Sequence, residues 1–236
     1  MTPGIENRLL RIDHLSKEFT LHHLQRKIRG CEEISFTVNH GEFVGITGKS
    51  GSGKSTILKS IYRTYLPQRG EILYDSEAFG EIDLSKASEQ EIIYLRQYEI
   101  GYVSQFLRTM PRTTAKAIVE KAVLEMGHSQ AVAEKETAAI LSHFELDEAL
   151  WDVYPQNFSG GEKLRLNVAA AMIKKPRLLL LDEPTASLDE HNKAKVRELI
   201  EKLKVDGTTM LGIFHDLEFM QGLVDKQFNM DQGGFI

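Results

Sequence analysis

The tightest constraint on this chain is the run Gly48-Lys49-Ser50-Gly51-Ser52-Gly53-Lys54-Ser55, directly after the apolar stretch Glu42–Thr47 (EFVGIT). It fits G-x-x-x-x-G-K-[ST], a strand-to-helix turn whose glycines let successive backbone N–H groups face inward around an anion. Lys54–Tyr65 has helical character, so the positive end of a helix dipole falls on the same spot. Such a loop belongs in a parallel α/β layer, with a buried strand before it and a helix packed back on the sheet. Lys54 is then expected to reach the β- and γ-phosphates of a nucleotide and Ser55 to ligate Mg²⁺, with Thr56 beside them in the binding set. A flexible Gly/Ser turn is the plain alternative, and the flanking strand and helix weigh against it.

The rest of the chain alternates strand-like and helix-like segments. Arg8–His14 and Glu33–Val38 alternate apolar and polar residues as half-buried strands do, and Leu21–Gly30 (LHHLQRKIRG) between them reads as a solvated loop. Glu71–Tyr74 and Ile100–Ser104 read as strands. From about residue 106 the texture turns helical, with apolar residues at helical spacing over Thr114–Met126 and Ser129–Phe144. Alternation returns with a helix over Gly160–Ile173, the strand Arg177–Asp182 (RLLLLD), a helix over Glu190–Lys204 and a strand over Thr208–Phe214; Lys226–Ile236 closes the core. A continuous apolar strand such as Leu178–Leu181 is buried on both faces of a parallel sheet. The expected organisation is one domain over 1–236: a mostly parallel α/β core at about 1–105 and 165–236, split by a helical insert at about 106–164.

Charge and hydropathy exclude several classes. The chain has 236 residues, 29 basic against 34 acidic, a net charge of −5, which is no footprint for nucleic acid. A lone cysteine, Cys31, cannot form an internal disulfide and fits a reducing compartment. No apolar run approaches the roughly 20 residues of a membrane-spanning helix. The expectation is a cytoplasmic chain with no direct membrane insertion.

A second acidic element supports the phosphate loop. Leu178–Leu181 deliver Asp182 and Glu183 to the carboxyl end of a strand, where open α/β sheets bind ligands. Asp182 is expected to hold Mg²⁺ through water, and Glu183 to orient or deprotonate an attacking water.

Phe158-Ser159-Gly160-Gly161-Glu162 resembles the LSGGQ signature of ABC-type ATPases, with Phe for Leu and Glu for Gln. Other segments stand in the order that family uses. Pro184–Asp189 resembles its D-loop, His215 its switch histidine and Gln105 its Q-loop glutamine. Phe19 stands where the family places an aromatic that stacks on adenine. The resemblance implies a RecA-like core with an antiparallel β subdomain and a helical subdomain, ATP and Mg²⁺ as cofactors, and hydrolysis of a phosphoric anhydride bond. It implies that Gln105 joins Ser55 and Asp182 at the metal, and that His215 links the γ-phosphate to a neighbour's D-loop around Asp189. It also implies a head-to-tail pair, with itself or a sister ABC subunit. There Ser159, Gly160, Gly161 and Glu162 complete the other subunit's nucleotide site. Arg165 is kept in the signature helix, whereas Ala170 stands where arginine is frequent.

Residues outside these shared motifs bear on the assembly. Tyr102-Val103-Ser104-Gln105-Phe106-Leu107-Arg108 followed by Pro111-Arg112 resembles the Q-loop region of PhnL, the L-subunit family of the carbon–phosphorus lyase system. So do Tyr62, Tyr65-Leu66-Pro67 with Gly70, Leu150-Trp151, and Gly212–Asp216. This resemblance implies an ATPase subunit of phosphonate degradation with soluble enzyme subunits as partners. The alternative is the family's default, the ATP-binding subunit of a transporter of the lipoprotein-release or macrolide-efflux type. A nucleotide-gated scaffold with negligible hydrolysis is the third reading. Arg108 and Arg112 are either a docking or ligand contact or two solvated arginines.

Overall fold

The computed structural model describes residues 7–21, 26–104, 112–186, 188–214 and 216–235. In chain order, β1 (Arg8–Leu21) and β2 (Arg26–Asn39) precede β3 (Phe43–Thr47), which feeds α1 (Lys54–Ile61). Next come β4 (Arg69–Ser76), β5 (Gly80–Asp83), α2 (Glu89–Tyr98) and β6 (Ile100–Val103). Helices α3 (Ala115–Glu125) and α4 (Gln130–His143) lead to α5 (Gly160–Met172). The chain then alternates β7 (Leu178–Asp182), α6 (Glu190–Val205), β8 (Thr209–Ile213), α7 (Leu217–Met220), β9 (Lys226–Asn229) and β10 (Gly234–Phe235).

Two sheets result. The first is antiparallel in the order β2-β1-β4-β5. The second runs β10-β9-β3-β8-β7-β6 and is parallel apart from the short β9–β10 pair. That is the mostly parallel core and antiparallel partner sheet expected from the sequence.

The run Leu178–Leu181 shows why its pattern lacks alternation. Leu178 and Leu180 pack with Leu10, Ile12, Ile34 and Phe36 of the antiparallel sheet and Ile57 of α1. Leu179 and Leu181 belong instead with Val119, Leu141, Phe144, Leu164 and Leu166 of the helices. Successive side chains of a strand point to opposite faces, so a strand between two cores needs an apolar residue at every position. The helices after β6 therefore share a core with the central sheet.

Two segments differ from the sequence reading. Within Leu21–Gly30, expected as a loop, the described residues Leu21 and Arg26–Gly30 are strand: Phe19 pairs with Ile28, Glu18 with Arg29 and Thr20 with Lys27. Its polarity marks an exposed ribbon, where Lys27 lies 3.3 Å from Glu18 across the strands. Helix α2 was not anticipated, although Ser88 and Glu91 form a capping box at its start and Ser-x-x-Glu is legible in the chain. Among the described residues no helix is long and apolar enough to cross a membrane.

Candidate functional site

Strand β3 ends in a loop that only glycine can build. Gly51 and Gly53 have φ of 78° and 95°, in the left-handed region that other residues avoid. A Cβ on Gly53 would lie 1.6 Å from the Gly30 carbonyl oxygen, so the loop is threaded against β2. Gly30 in turn lies under Phe19, whose ring would be 2.7 Å from a Cβ there. These contacts bring Phe19 beside the phosphate loop. Its ring meets Tyr65 edge-on at 5.0 Å between centroids, with the Lys17 ammonium 5.2 Å from its centre.

Lys54 is only 4% exposed and folds back over the loop, donating from Nζ to the carbonyls of Gly48 (2.8 Å) and Lys49 (2.9 Å). Burial lowers its pKa below the ordinary lysine value, against the opposing pull of Glu183 and Asp231. An ammonium held by two carbonyls and shielded from water is a poised anion partner. Ser50 and Ser52 lie in the same loop, where the Ser52 amide closes a turn on the Lys49 carbonyl at 3.2 Å. The Thr56 amide starts the helix by donating to the Gly53 carbonyl at 2.9 Å.

The parallel sheet delivers the acidic residues to the same end. Ser55 Oγ donates to Asp182 Oδ1 at 2.9 Å, across 127 residues of sequence. Tyr102 OH donates to the other oxygen, Oδ2, at 2.5 Å. Glu183 follows with φ of 54°, a left-handed conformation unusual for glutamate, and its amide donates to the Ile213 carbonyl at 3.2 Å. Backbone strain of this kind concentrates at functional sites. Ser55 and Asp182 present hard oxygen donors, the type that Mg²⁺ takes. Among the described residues no group of three or more His, Cys, Asp or Glu could hold a metal alone. A site with few protein ligands suits an ion that keeps its waters and binds substrate phosphates.

The signature segment is built as an exposed helix start. Ser159 caps α5, accepting from the Glu162 amide at 3.3 Å, while Glu162 Oε2 accepts from the Ser159 amide at 2.7 Å. A Cβ on Gly160 would come within 2.5 Å of Leu188, just before α6, and one on Gly161 within 2.8 Å of Asn192 in α6. Asp189 caps α6, accepting from the Asn192 amide at 2.8 Å. That backbone hydrogen bond leads the causes that hold its carboxyl below the usual aspartate range. Within one chain the signature thus neighbours the D-loop segment.

Gln105, Arg108 and His215 lie outside the described residues. Arg112 is exposed, with φ of 60°. Two contacts went unread in the sequence. The Tyr102–Asp182 bond depends on the register of β6 beside β7, where Tyr102 pairs with Leu180. The Lys49 amide also donates to Asp231 Oδ2 at 3.2 Å, because β9 pairs with β3 and brings its following turn to the loop. Only the strand order reveals either.

Residues 31–186 match the family described as ABC transporter. The chain is 34% identical over 226 residues to the putative hemin import ATP-binding protein HrtA of Staphylococcus haemolyticus, covering 95% of this chain and 97% of that protein. It is 34% identical over 213 residues to the lipoprotein-releasing system ATP-binding protein LolD of Aquifex aeolicus, covering 89% and 92%. It spans 64% of the length of the methionine import relatives it matches. Among solved structures, the dimeric ATP-binding cassette MJ0796 in a post-hydrolysis state bound to ADP and Pi is similar with a TM-score of 0.83, at 28% identity and 94% coverage of both chains.

Proposed function

Because this chain belongs to the ABC family of ATPases, we propose that it binds ATP with Mg²⁺ and hydrolyses it within a head-to-tail pair of such subunits. The observation that carries this is the convergence of the Lys54 loop and the Ser55–Asp182 pair at one end of the parallel sheet. The dimeric, nucleotide-bound state of its structural relative supports the pairing.

The roles follow from chemistry. Lys54 exchanges its two loop carbonyls for phosphate oxygens, and the loop amides take the remaining charge. Ser55 and Asp182, with Gln105, would hold Mg²⁺, which when bound neutralises charge on the β- and γ-phosphates. Glu183 orients the attacking water, and His215 supports the γ-phosphate. Phe19 offers a face to the purine. Ser159 and Gly160 are exposed and Gly161 is buried, and with their amides they form a positively polarised helix start suited to the γ-phosphate of a facing subunit. We divide the chain into a core at about 1–105 and 165–236 and a helical subdomain at about 106–164, and place it in the cytoplasm.

Its assembly is read from the relatives. HrtA and LolD are named for import and lipoprotein release, and neither carries a carbon–phosphorus lyase name. This supports the transporter alternative over the phosphonate reading, with a membrane permease as partner. The second reading rests on the run Tyr102–Arg108 with Pro111-Arg112, together with Tyr62, Tyr65-Leu66-Pro67 with Gly70, Leu150-Trp151 and Gly212–Asp216, which resemble the carbon–phosphorus lyase L subunit. Affinity purification from the native cell separates them. A permease among the co-purifying chains supports the transporter assignment; soluble phosphonate-degrading subunits without a permease overturn it.

A further inference from the structure

The phosphate loop already carries an anion that the roles above do not use. The Lys49 amide donates to Asp231 Oδ2 at 3.2 Å, while the Lys49 carbonyl accepts from Lys54 Nζ at 2.9 Å. A single residue thus stands between a carboxylate and the ammonium on which phosphate binding depends. Burial lowers the pKa of that ammonium, and the charges of Glu183 and Asp231 pull against it.

The carboxylate is held in place by the fold. β9 pairs with β3 through Thr47 and Asn229, and the Met230 amide donates to the Thr47 carbonyl at 2.9 Å. A Cβ on Gly48 would lie 2.9 Å from the Cβ of Met230, so the turn after β9 presses on the base of the loop. Asn229 Oδ1 accepts from the amides of Asp231 and Gln232, at 2.9 and 3.2 Å, which fixes that turn. Beyond it Phe235 stands edge-on to Phe36 and Phe228, with centroids 6.4 and 5.5 Å apart, and anchors the β9–β10 hairpin.

A fixed negative charge beside an anion-binding loop acts on the ligand as well as on the lysine. Its repulsion grows with the ligand's charge and is screened by salt. Adenosine escapes it, a metal-free triphosphate meets most of it, and a triphosphate paired with a divalent ion meets less. Resting on the ATP-binding reading, we infer that Asp231 is a specificity-determining residue that grades nucleotides by phosphate charge and so favours the metal complex over the free polyphosphate.

The test is displacement of a fluorescent nucleotide from the full chain by adenosine, ADP and ATP at low ionic strength, for the native protein and Asp231→Asn. Asparagine keeps the shape and an acceptor for the Lys49 amide but removes the charge. Asp231→Asn should tighten metal-free ATP about fivefold, the scale of one exposed charge acting on a polyphosphate. The gain should be smaller for ADP and for ATP with saturating Mg²⁺, absent for adenosine, and reduced at high ionic strength. No gain for metal-free ATP, or an equal gain for all three ligands, in a folded Asp231→Asn protein overturns the proposal and leaves the ATPase reading intact. Failure of the native chain to bind ATP with or without Mg²⁺ overturns both. Asp231→Ala removes the acceptor as well and should show the same gain; a gain confined to one of the two variants counts against charge as the cause.

Discussion

Lys54 and Cys31 are both buried ionisable residues, and their surroundings set opposite fates. Lys54 has carbonyl partners that a phosphate can replace, so its charge is retained for ligand. Lys54→Ala should lower nucleotide affinity by about 100-fold, the scale of one or two charge-assisted hydrogen bonds. Titration with a fluorescent nucleotide checks it, and affinity within a factor of two of the native chain would refute it. Cys31 is 3% exposed, and burial pushes its thiol up to about 11. At pH 8 the folded chain should resist alkylation at Cys31, which an unfolded chain accepts; mass spectrometry of the labelled protein decides. A thiol raised on folding favours the native state below the ordinary thiol value, so that contribution fades as pH climbs toward 11. The phosphate-loop residues were legible because their chemistry is local to eight positions. Tyr102 was not, since nothing near it in sequence announces that the strand beside it ends in Asp182.

At the scale of elements, polarity misled once and helped once. The basic stretch at Leu21–Gly30 reads as loop by composition. Its described residues, Leu21 and Arg26–Gly30, are strand because an exposed antiparallel ribbon pairs charge with charge across its rungs, and short-range pattern does not report pairing. The apolar run of β7 was legible for the complementary reason, as both of its faces are covered. Helix α5 combines local and distant causes. Its capping box is written in Ser159 and Glu162, whereas the demand for Gly160 comes from Leu188 before α6 and that for Gly161 from Asn192 in α6. Ser159→Ala should therefore cost about 1 kcal/mol in chemical denaturation by loss of the cap. It should also depress ATPase turnover more than tenfold while leaving nucleotide affinity of the single chain unchanged. Equal losses in both would remove the signature's role in a second subunit's site.

At the scale of the molecule, one chain holds a loop, an acidic strand end and a signature whose nearest neighbours are Leu188 and Asn192 rather than the phosphate loop. On the proposed reading a second copy or sister subunit supplies what is missing, as the dimeric state of the structural relative supports. The parallel core was legible in the motif order, because the phosphate loop follows β3 and the acidic pair stands at the end of β7, and helical spacing marked the region between β6 and α5. Partner identity was not legible to the same degree: relatives named for hemin import and for lipoprotein release are each 34% identical to the chain. The measurement that reaches the central claim is light scattering of Glu183→Gln with and without Mg²⁺-ATP, paired with its phosphate release. The account predicts a stable, ATP-dependent dimer with turnover reduced at least about 100-fold, on the scale of a lost general base. A chain that stays monomeric with ATP bound, or hydrolyses at the native rate, would contradict it.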